Sequence, residues 1–74
     1  MHVTVKLFAG FRSGRIPIEE TELPEGTKII DVVNRHEIPV SEVGIIMLNN
    51  RHAKLDTELV QGDTLALFPL VGGG

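Results

Sequence analysis

Only one segment of this chain has the apolar periodicity of an α-helix, and that segment is short. Residues at positions i, i+3, i+4 and i+7 of one helical face are Ile29, Val32, Val33 and His36. Thr27 is expected to be the N-cap, and Pro39 ends the helix because the residue before a proline avoids helical geometry. A helix of about nine residues is not stable alone in water. It must therefore pack against a sheet.

Residues 1–23 have the pattern of a β-hairpin. Apolar residues alternate along the first strand at Val3, Val5 and Leu7. This two-residue period is typical of a strand with one buried face. A second strand is predicted within 15–23, where Pro17 lacks an N–H group and therefore favours the sheet edge. Three acidic residues also discourage further pairing at that edge: Glu19, Glu20 and Glu22.

Three more strands are predicted after the helix. The apolar run 45–48 should meet residues 51–53 through a tight turn at Asn49 and Asn50, because asparagine tolerates positive φ. Residues 61–63 form another turn, and the last strand covers 64–68. The order β-β-α-β-β-β predicts a two-layer α+β domain over residues 1–69, followed by a flexible glycine-rich tail over 70–74.

Composition excludes several functions for this chain of 74 residues. Without cysteine there is no disulfide, thiolate nucleophile or thiolate metal ligand. The 7 basic and 10 acidic residues give a net charge of -3 and form no basic patch, which disfavours nucleic-acid binding. The start has no cationic leader followed by an apolar run, and no apolar stretch has membrane-spanning length. We expect a soluble cytoplasmic protein, monomeric when free, with no nucleic-acid or membrane partner.

Candidate catalytic side chains are present, but their spacing does not match known sites. His2, His36 and His52 lie on separate predicted elements without cysteine companions, so metal binding is not expected. The acidic cluster lies on a predicted solvated edge, where no apolar pocket would shift the pKa values of its carboxyl groups. Ser13 and Ser41 lack a nucleophile-elbow pattern, and no glycine precedes a phosphate-binding helix. Catalysis by this chain alone is not expected.

The end of the chain has the strongest functional pattern. A buried strand runs into Pro69, which cannot donate to a sheet, and the sequence then continues Leu-Val-Gly-Gly-Gly. The residues from Pro69 onward reach roughly 20 Å when extended, so the terminal carboxylate could enter another protein's active site. Glycine suits a narrow channel because it has no Cβ and adopts positive φ freely. The alternative is an inert tail, which is common at chain ends. The strand and the Phe-Pro pair before the tail favour function.

The whole chain resembles the MoaD/ThiS family, the β-grasp sulfur carriers that are similar in fold to ubiquitin. The resemblance is most specific over 59–74, where a Gly-Asp turn at 62–63 precedes a Phe-Pro-x-Val-x-Gly-Gly ending. In that match Gly73 and Gly74 are the diglycine and Gly72 is the spacer. The segment 7–12, Leu-Phe-Ala-Gly-Phe-Arg, resembles the first strand and loop of the molybdopterin branch, although Leu70 replaces a proline that is frequent there. The resemblance implies a mixed sheet of four to five strands on one helix.

The resemblance also implies that the chain is a protein cosubstrate rather than an enzyme. A MoeB/ThiF-like adenylyltransferase, of the ubiquitin-activating type, would use ATP to adenylate the carboxylate of Gly74. A sulfur donor enzyme would then supply the persulfide that displaces AMP. The resulting thiocarboxylate would pass sulfur to a pterin precursor at the molybdopterin synthase large subunit. Val71, Gly72 and Gly73 would occupy the partner's channel, and no cofactor is expected on this chain.

Three alternatives to the molybdopterin assignment remain open. In the thiamine branch the same thiocarboxylate would supply a thiazole synthase. A ubiquitin-like modifier would share the adenylation step but form isopeptide bonds with lysines. A β-grasp interaction module with an inert tail would be unaffected by loss of Gly74.

Strand phase predicts a surface for these partners. Because Val5 and Leu7 face the helix, Phe8 lies on the outward face, and the same phase places Phe68 outward on the last strand. If these strands are neighbours, as the resemblance implies, the two rings form one apolar patch beside the tail, and such patches tend to be binding sites. Leu59 is expected as a third interface residue. In the alternative interpretation the Phe11 loop or sheet twist covers the two rings, which then serve stability.

Overall fold

The computed structural model describes residues 1–71 as one α-helix against one sheet. In chain order the elements are β1 (His2–Leu7), β2 (Ile18–Glu22), α1 (Ile29–Arg35), β3 (Val43–Leu48), β4 (Arg51–His52) and β5 (Thr64–Pro69). The sheet order is β2-β1-β5-β3-β4, with β1 parallel to β5 and the other neighbours antiparallel. The prediction of a mixed sheet packed on one helix is confirmed. The predictions for Gly72, Gly73 and Gly74 lie outside the described residues.

The core lies between α1 and one face of the two central strands. The predicted alternation is confirmed there, because every second residue of β1 and β5 is almost fully buried: Val3, Val5, Leu7, Leu65 and Leu67. Three residues of the predicted helical stripe are equally buried: Ile29, Val32 and Val33. Phe11 lies in a short 3₁₀ helix (Ala9–Arg12) after β1 and is also in the core. This helix occupies a segment that the sequence predicts only as a turn-rich connection.

The start of α1 differs from the prediction at Thr27. The Thr27 hydroxyl donates to the Pro24 carbonyl at 2.7 Å, and the Thr27 amide also donates there at 3.3 Å. The hydroxyl therefore closes the preceding turn and does not cap the helix. Lys28 is the N-cap, and its amide donates to the Asp31 carboxylate at 2.9 Å. An acidic residue in the first turn also interacts favourably with the helix dipole.

The helix is seven residues long, slightly shorter than predicted. The Arg15 guanidinium donates to the carbonyls of His36 at 3.0 Å and Glu37 at 3.2 Å, and also to that of Phe11 at 3.3 Å. These bonds satisfy two of the carbonyls that a helix end leaves without partners. His36 is the C-cap, and its Nδ1 lies 3.0 Å from the Val32 carbonyl. Within residues 1–71, no helix is long and apolar enough to cross a membrane.

The predicted turns and edge strand are confirmed. β2 lies at the sheet edge and begins just after Pro17, whose carbonyl accepts from the Leu7 amide at 2.8 Å. Asn49 and Asn50 have φ of 52° and 66° and join β3 to β4. Two consecutive residues with positive φ give the turn whose twist matches a hairpin.

A buried carboxylate connects this hairpin turn to the start of β5. Asp63 is 5% exposed and accepts from the Val60 amide and from Asn49 Nδ2, both at 2.8 Å. Asn49 Oδ1 in turn accepts from the Thr64 amide at 2.9 Å. Gly62, with φ of 87°, permits the turn that places Asp63 there. The Gly-Asp turn therefore has a structural role, because it fixes the position at which β5 begins.

Candidate functional site

The face of the sheet opposite α1 has an apolar end and a polar end. The strand registers place Ile45 beside Phe68 and Met47 beside Ala66 on this outward face. The neighbouring register places Lys6 beside Ala66. At the other end of the same face, His2 Nε2 lies 2.9 Å from Glu20 Oε1. The apolar end is the one from which the C-terminal segment leaves β5.

Phe8 and Phe68 form the centre of the apolar end. Their ring centroids are 4.4 Å apart and their planes differ by 12°, which is a stacked pair. Both side chains are half-buried although they face away from the helical core. The Phe11 side chain belongs to the core, where it is 3% exposed, so Arg12 is the residue of that loop that lies beside the pair. The Arg12 guanidinium carbon lies 5.9 Å from the Phe8 centroid, so a cation borders the pair.

The stacked pair forms part of the wall of a partly open depression of about 480 Å³. Its lining includes Lys6, Phe8, Met47, Thr64, Ala66 and Phe68. Methionine and the aliphatic part of lysine adapt to different contact shapes. Ile45 lies beside Phe68 on the neighbouring strand, is 41% exposed and was missed in the sequence analysis. Only its pairing with Phe68 marks Ile45 as part of this surface. That pairing could not be predicted, because it depends on the register between β3 and β5.

The structure does not support Leu59 as an interface residue. Its side chain is 2% exposed and belongs to the core, and its amide donates to the Thr27 carbonyl at 2.9 Å. Leu59 therefore stabilises the domain and offers no contact surface to a partner. Exposed apolar area in this segment comes from Val60 instead, which is 60% accessible.

The start of the tail is hydrogen-bonded to the domain one residue beyond Pro69. The Leu70 amide donates to the Glu42 carbonyl at 2.9 Å, so hydrogen bonding continues into the segment predicted as tail. The Leu70 side chain is 61% exposed and that of Val71 is 86% exposed. β3 begins at Val43, two residues before the predicted run 45–48, and Val43 pairs with Pro69. The chain thus leaves the sheet next to the stacked phenylalanines.

Two glutamates of the predicted acidic edge contact histidine side chains. Glu19 Oε1 lies 3.3 Å from His36 Nε2, and Glu20 accepts from His2. The structure keeps these two histidines apart from His52 on β4. Within residues 1–71, no group of three or more His, Cys, Asp or Glu side chains is placed to hold a metal ion.

Fold and surface together define a class of protein. One helix on a mixed sheet, with parallel neighbouring first and last strands, is the ubiquitin-like β-grasp architecture. The chain belongs to the ThiS family, whose model matches residues 5–74. This is the MoaD/ThiS group of small ubiquitin-like sulfur carriers, which are carrier proteins rather than catalytic enzymes. A sequence search of curated proteins found no match.

Solved structures with the same fold come from several organisms. A Pyrococcus furiosus protein described as molybdopterin converting factor subunit 1 has a TM-score of 0.73 and 38% identity, covering 96% of this chain and 99% of its own. Small archaeal modifier protein 1 of Methanosarcina acetivorans has a TM-score of 0.70 and 25% identity, covering 99% and 96%. Subunit 1 in a Helicobacter pylori complex of molybdopterin-converting factor subunits 1 and 2 has a TM-score of 0.66 and 22% identity over both full chains.

Proposed function

We propose that this protein is a sulfur carrier that supplies the sulfur of molybdopterin from a thiocarboxylate on Gly74. The observation that carries the proposal is the 38% identity, over almost the full length of both chains, to the Pyrococcus furiosus subunit 1 protein. A supporting feature is the apolar surface beside the exposed root of the tail. A docking surface next to the exposed Leu70 and Val71 suits a protein whose terminus reacts in another protein's active site.

The proposed reaction begins at the C-terminal carboxylate. This group is a poor electrophile because its charge is delocalised. In adenylation by a MoeB/ThiF-like enzyme, a carboxylate oxygen attacks the α-phosphorus of ATP, which forms an acyl-AMP mixed anhydride and releases pyrophosphate. A persulfide sulfur attacks the acyl carbon and expels AMP, giving an acyl disulfide. A thiol then attacks the donor's sulfur, forms a disulfide with it and leaves the thiocarboxylate on Gly74. ATP and the catalytic groups belong to the partner, so this chain supplies only the electrophile and the docking surface.

The acceptor in this proposal is a molybdopterin synthase large subunit. The Helicobacter pylori protein with this fold was solved as a complex with subunit 2 of molybdopterin-converting factor. We infer that the present chain forms a comparable complex. Its aromatic pair would contact the acceptor, and its tail would extend into the acceptor's active site, where a pterin precursor takes the sulfur.

The test is the intact mass of the full chain after incubation with ATP, a cognate activating enzyme and a sulfur donor. We expect a mass gain equal to sulfur minus oxygen, located on Gly74 by fragmentation. A variant that lacks Gly74 is expected to gain nothing, because Gly73 then ends short of the activating site. An equal gain in that variant, or a gain on an internal residue, would refute the assignment.

Two other functions can be distinguished from this proposal by experiment, one by its product and the other by its acceptor. The Methanosarcina acetivorans modifier, at 25% identity, favours conjugation to lysines as the second candidate. A modifier would accumulate as higher-mass conjugates, whereas a carrier would accumulate as the small thiocarboxylated protein. The thiamine branch differs from the proposal only in its acceptor. Co-purification of a thiazole synthase in place of a molybdopterin synthase large subunit would assign the chain to that branch.

A further inference from the structure

Gly44 lies where two backbones approach more closely than a side chain allows. A Cβ at this position would be 2.7 Å from the Pro69 carbonyl oxygen and 2.9 Å from both the amide nitrogen and the Cα of Leu70. All three atoms are backbone atoms, so they cannot move aside as the end of a flexible side chain would. A glycine within a strand often marks such an approach. Gly44 is therefore required for the contact between β3 and the end of β5.

This contact has an irregular register that extends the pairing beyond Pro69. Val43 pairs with Pro69 and Ile45 pairs with Phe68, so Gly44 is the extra residue of a bulge. Proline has no N–H group to continue the ladder. The next amide, that of Leu70, donates to the Glu42 carbonyl at 2.9 Å. Bulges change the direction of a chain and are frequent beside functional sites.

We propose that Glu42, Gly44 and Leu70 form a tail clamp that sets the direction in which the reactive terminus leaves the domain. In this proposal Gly44 is a positioning residue, and the Leu70 amide is the last backbone group that is hydrogen-bonded to the domain among the described residues. The four residues that follow it can span at most roughly 13 Å, compared with roughly 20 Å for the six residues counted from Pro69. A shorter segment beyond the last anchoring bond limits the positions that the carboxylate can reach. The clamp thereby keeps the terminus near one line of approach.

The clamp and the docking surface are expected to affect different kinetic constants of adenylation. The stacked phenylalanines contribute to binding, so their loss raises KM. The clamp is not needed for docking but for placing the carboxylate near ATP, so its loss lowers kcat. Misplacement by about 1 Å can reduce a rate about 100-fold. This inference rests on the proposed function, because it assumes that the tail reacts in a partner's active site.

The test is Gly44→Ala in the full chain, with Gly10→Ala as the matched control because a Cβ at Gly10 meets nothing within 4 Å. Amide hydrogen exchange at Leu70 should be slow in the native protein and in the control, and should become fast in Gly44→Ala. With a cognate activating enzyme and ATP, kcat of Gly44→Ala should fall about tenfold or more while KM changes by less than about twofold. Unchanged exchange at Leu70, or lost protection with normal kcat, would overturn the proposal.

Replacement of the Leu70 amide by an ester, introduced by semisynthesis, provides a second test if Gly44→Ala does not fold. It removes the N–H donor of the Glu42 bond without adding an atom near Gly44, and it should also lower kcat at constant KM. Normal kcat in this variant would exclude a role of the clamp. If the native chain is not adenylated at all, the proposed function fails. The exchange rate of the Leu70 amide then still shows whether the clamp exists.

Discussion

At the scale of single residues, Phe8 and Phe68 are unusual because they are large aromatic side chains outside the core. Their stacking at 4.4 Å stabilises the domain modestly, since an aromatic pair contributes about 1 kcal/mol beyond its buried area. A core Leu→Ala change typically costs about 2 to 5 kcal/mol. Substitution of one phenylalanine should therefore affect binding more than folding, if the pair is the docking surface.

We expect Phe68→Arg, and likewise Phe8→Arg, to weaken binding to the activating enzyme or the acceptor subunit about 30-fold, roughly 2 kcal/mol. The melting temperature should fall by only about 5 °C, which corresponds to roughly 1 kcal/mol in a domain of this size. Titration calorimetry and thermal unfolding measure the two effects. Val60→Arg is the control, because Val60 is an exposed apolar residue that does not contribute to the depression beside the pair. Normal binding by the Phe68 variant would place the docking surface elsewhere.

At the scale of elements, Asp63 holds together two parts of the sheet that are distant in sequence. Its carboxylate accepts from the amide of Val60 before β5 and from Asn49 in the β3–β4 turn. A buried hydrogen-bonded carboxylate is costly to remove, because its former donors lose their partner. The same group fixes where β5 begins.

Asp63→Ala should destabilise the domain by about 2 kcal/mol and lower the melting temperature by about 10 °C. Urea unfolding monitored by circular dichroism gives the free energy, and a two-state fit is appropriate for a domain this small. Asp56→Ala is the matched control, because Asp56 is exposed. A change of less than about 0.5 kcal/mol in the Asp63 variant, as for an ordinary surface substitution, would contradict this account.

At the scale of the whole molecule, the proposal assigns docking and reaction to separate parts of the chain. The outward face of the sheet makes the contact, and the residues after Val71 supply the reactive carboxylate. Glycine contributes little buried area, and ordering it costs conformational entropy. Most of the binding free energy should therefore come from the domain.

A chain that ends at Val71 should still bind the activating enzyme, with a change in Kd of less than about threefold, roughly 0.7 kcal/mol. It should form no adenylate and should inhibit adenylation of the full chain competitively. Pyrophosphate exchange measures the reaction, and competition titration measures the binding. If the shortened chain loses binding completely, the tail contributes most of the affinity and the division between docking and reaction is wrong.

Much of the fold follows from local pattern. The two-residue period of β1 and β5, the helical stripe around Val32 and the Asn49-Asn50 turn each depend on neighbours in sequence, so they could be predicted. The outward phase of Phe8 and Phe68 follows from the same alternation. The family resemblance added that β1 and β5 are neighbours, and this pairing is confirmed.

The remaining features depend on contacts between segments far apart in the chain. Thr27 has the chemistry of an N-cap, but its hydroxyl donates to Pro24 and its carbonyl accepts from the distant Leu59 amide, so that Lys28 is the N-cap instead. Leu59 is apolar whether it faces a partner or the core, and only the packing of its segment buries it. Gly44 has no local pattern that marks it. Its role arises because the β3–β5 register brings the Pro69 carbonyl to its Cα, and a register between distant strands is set by the whole sheet.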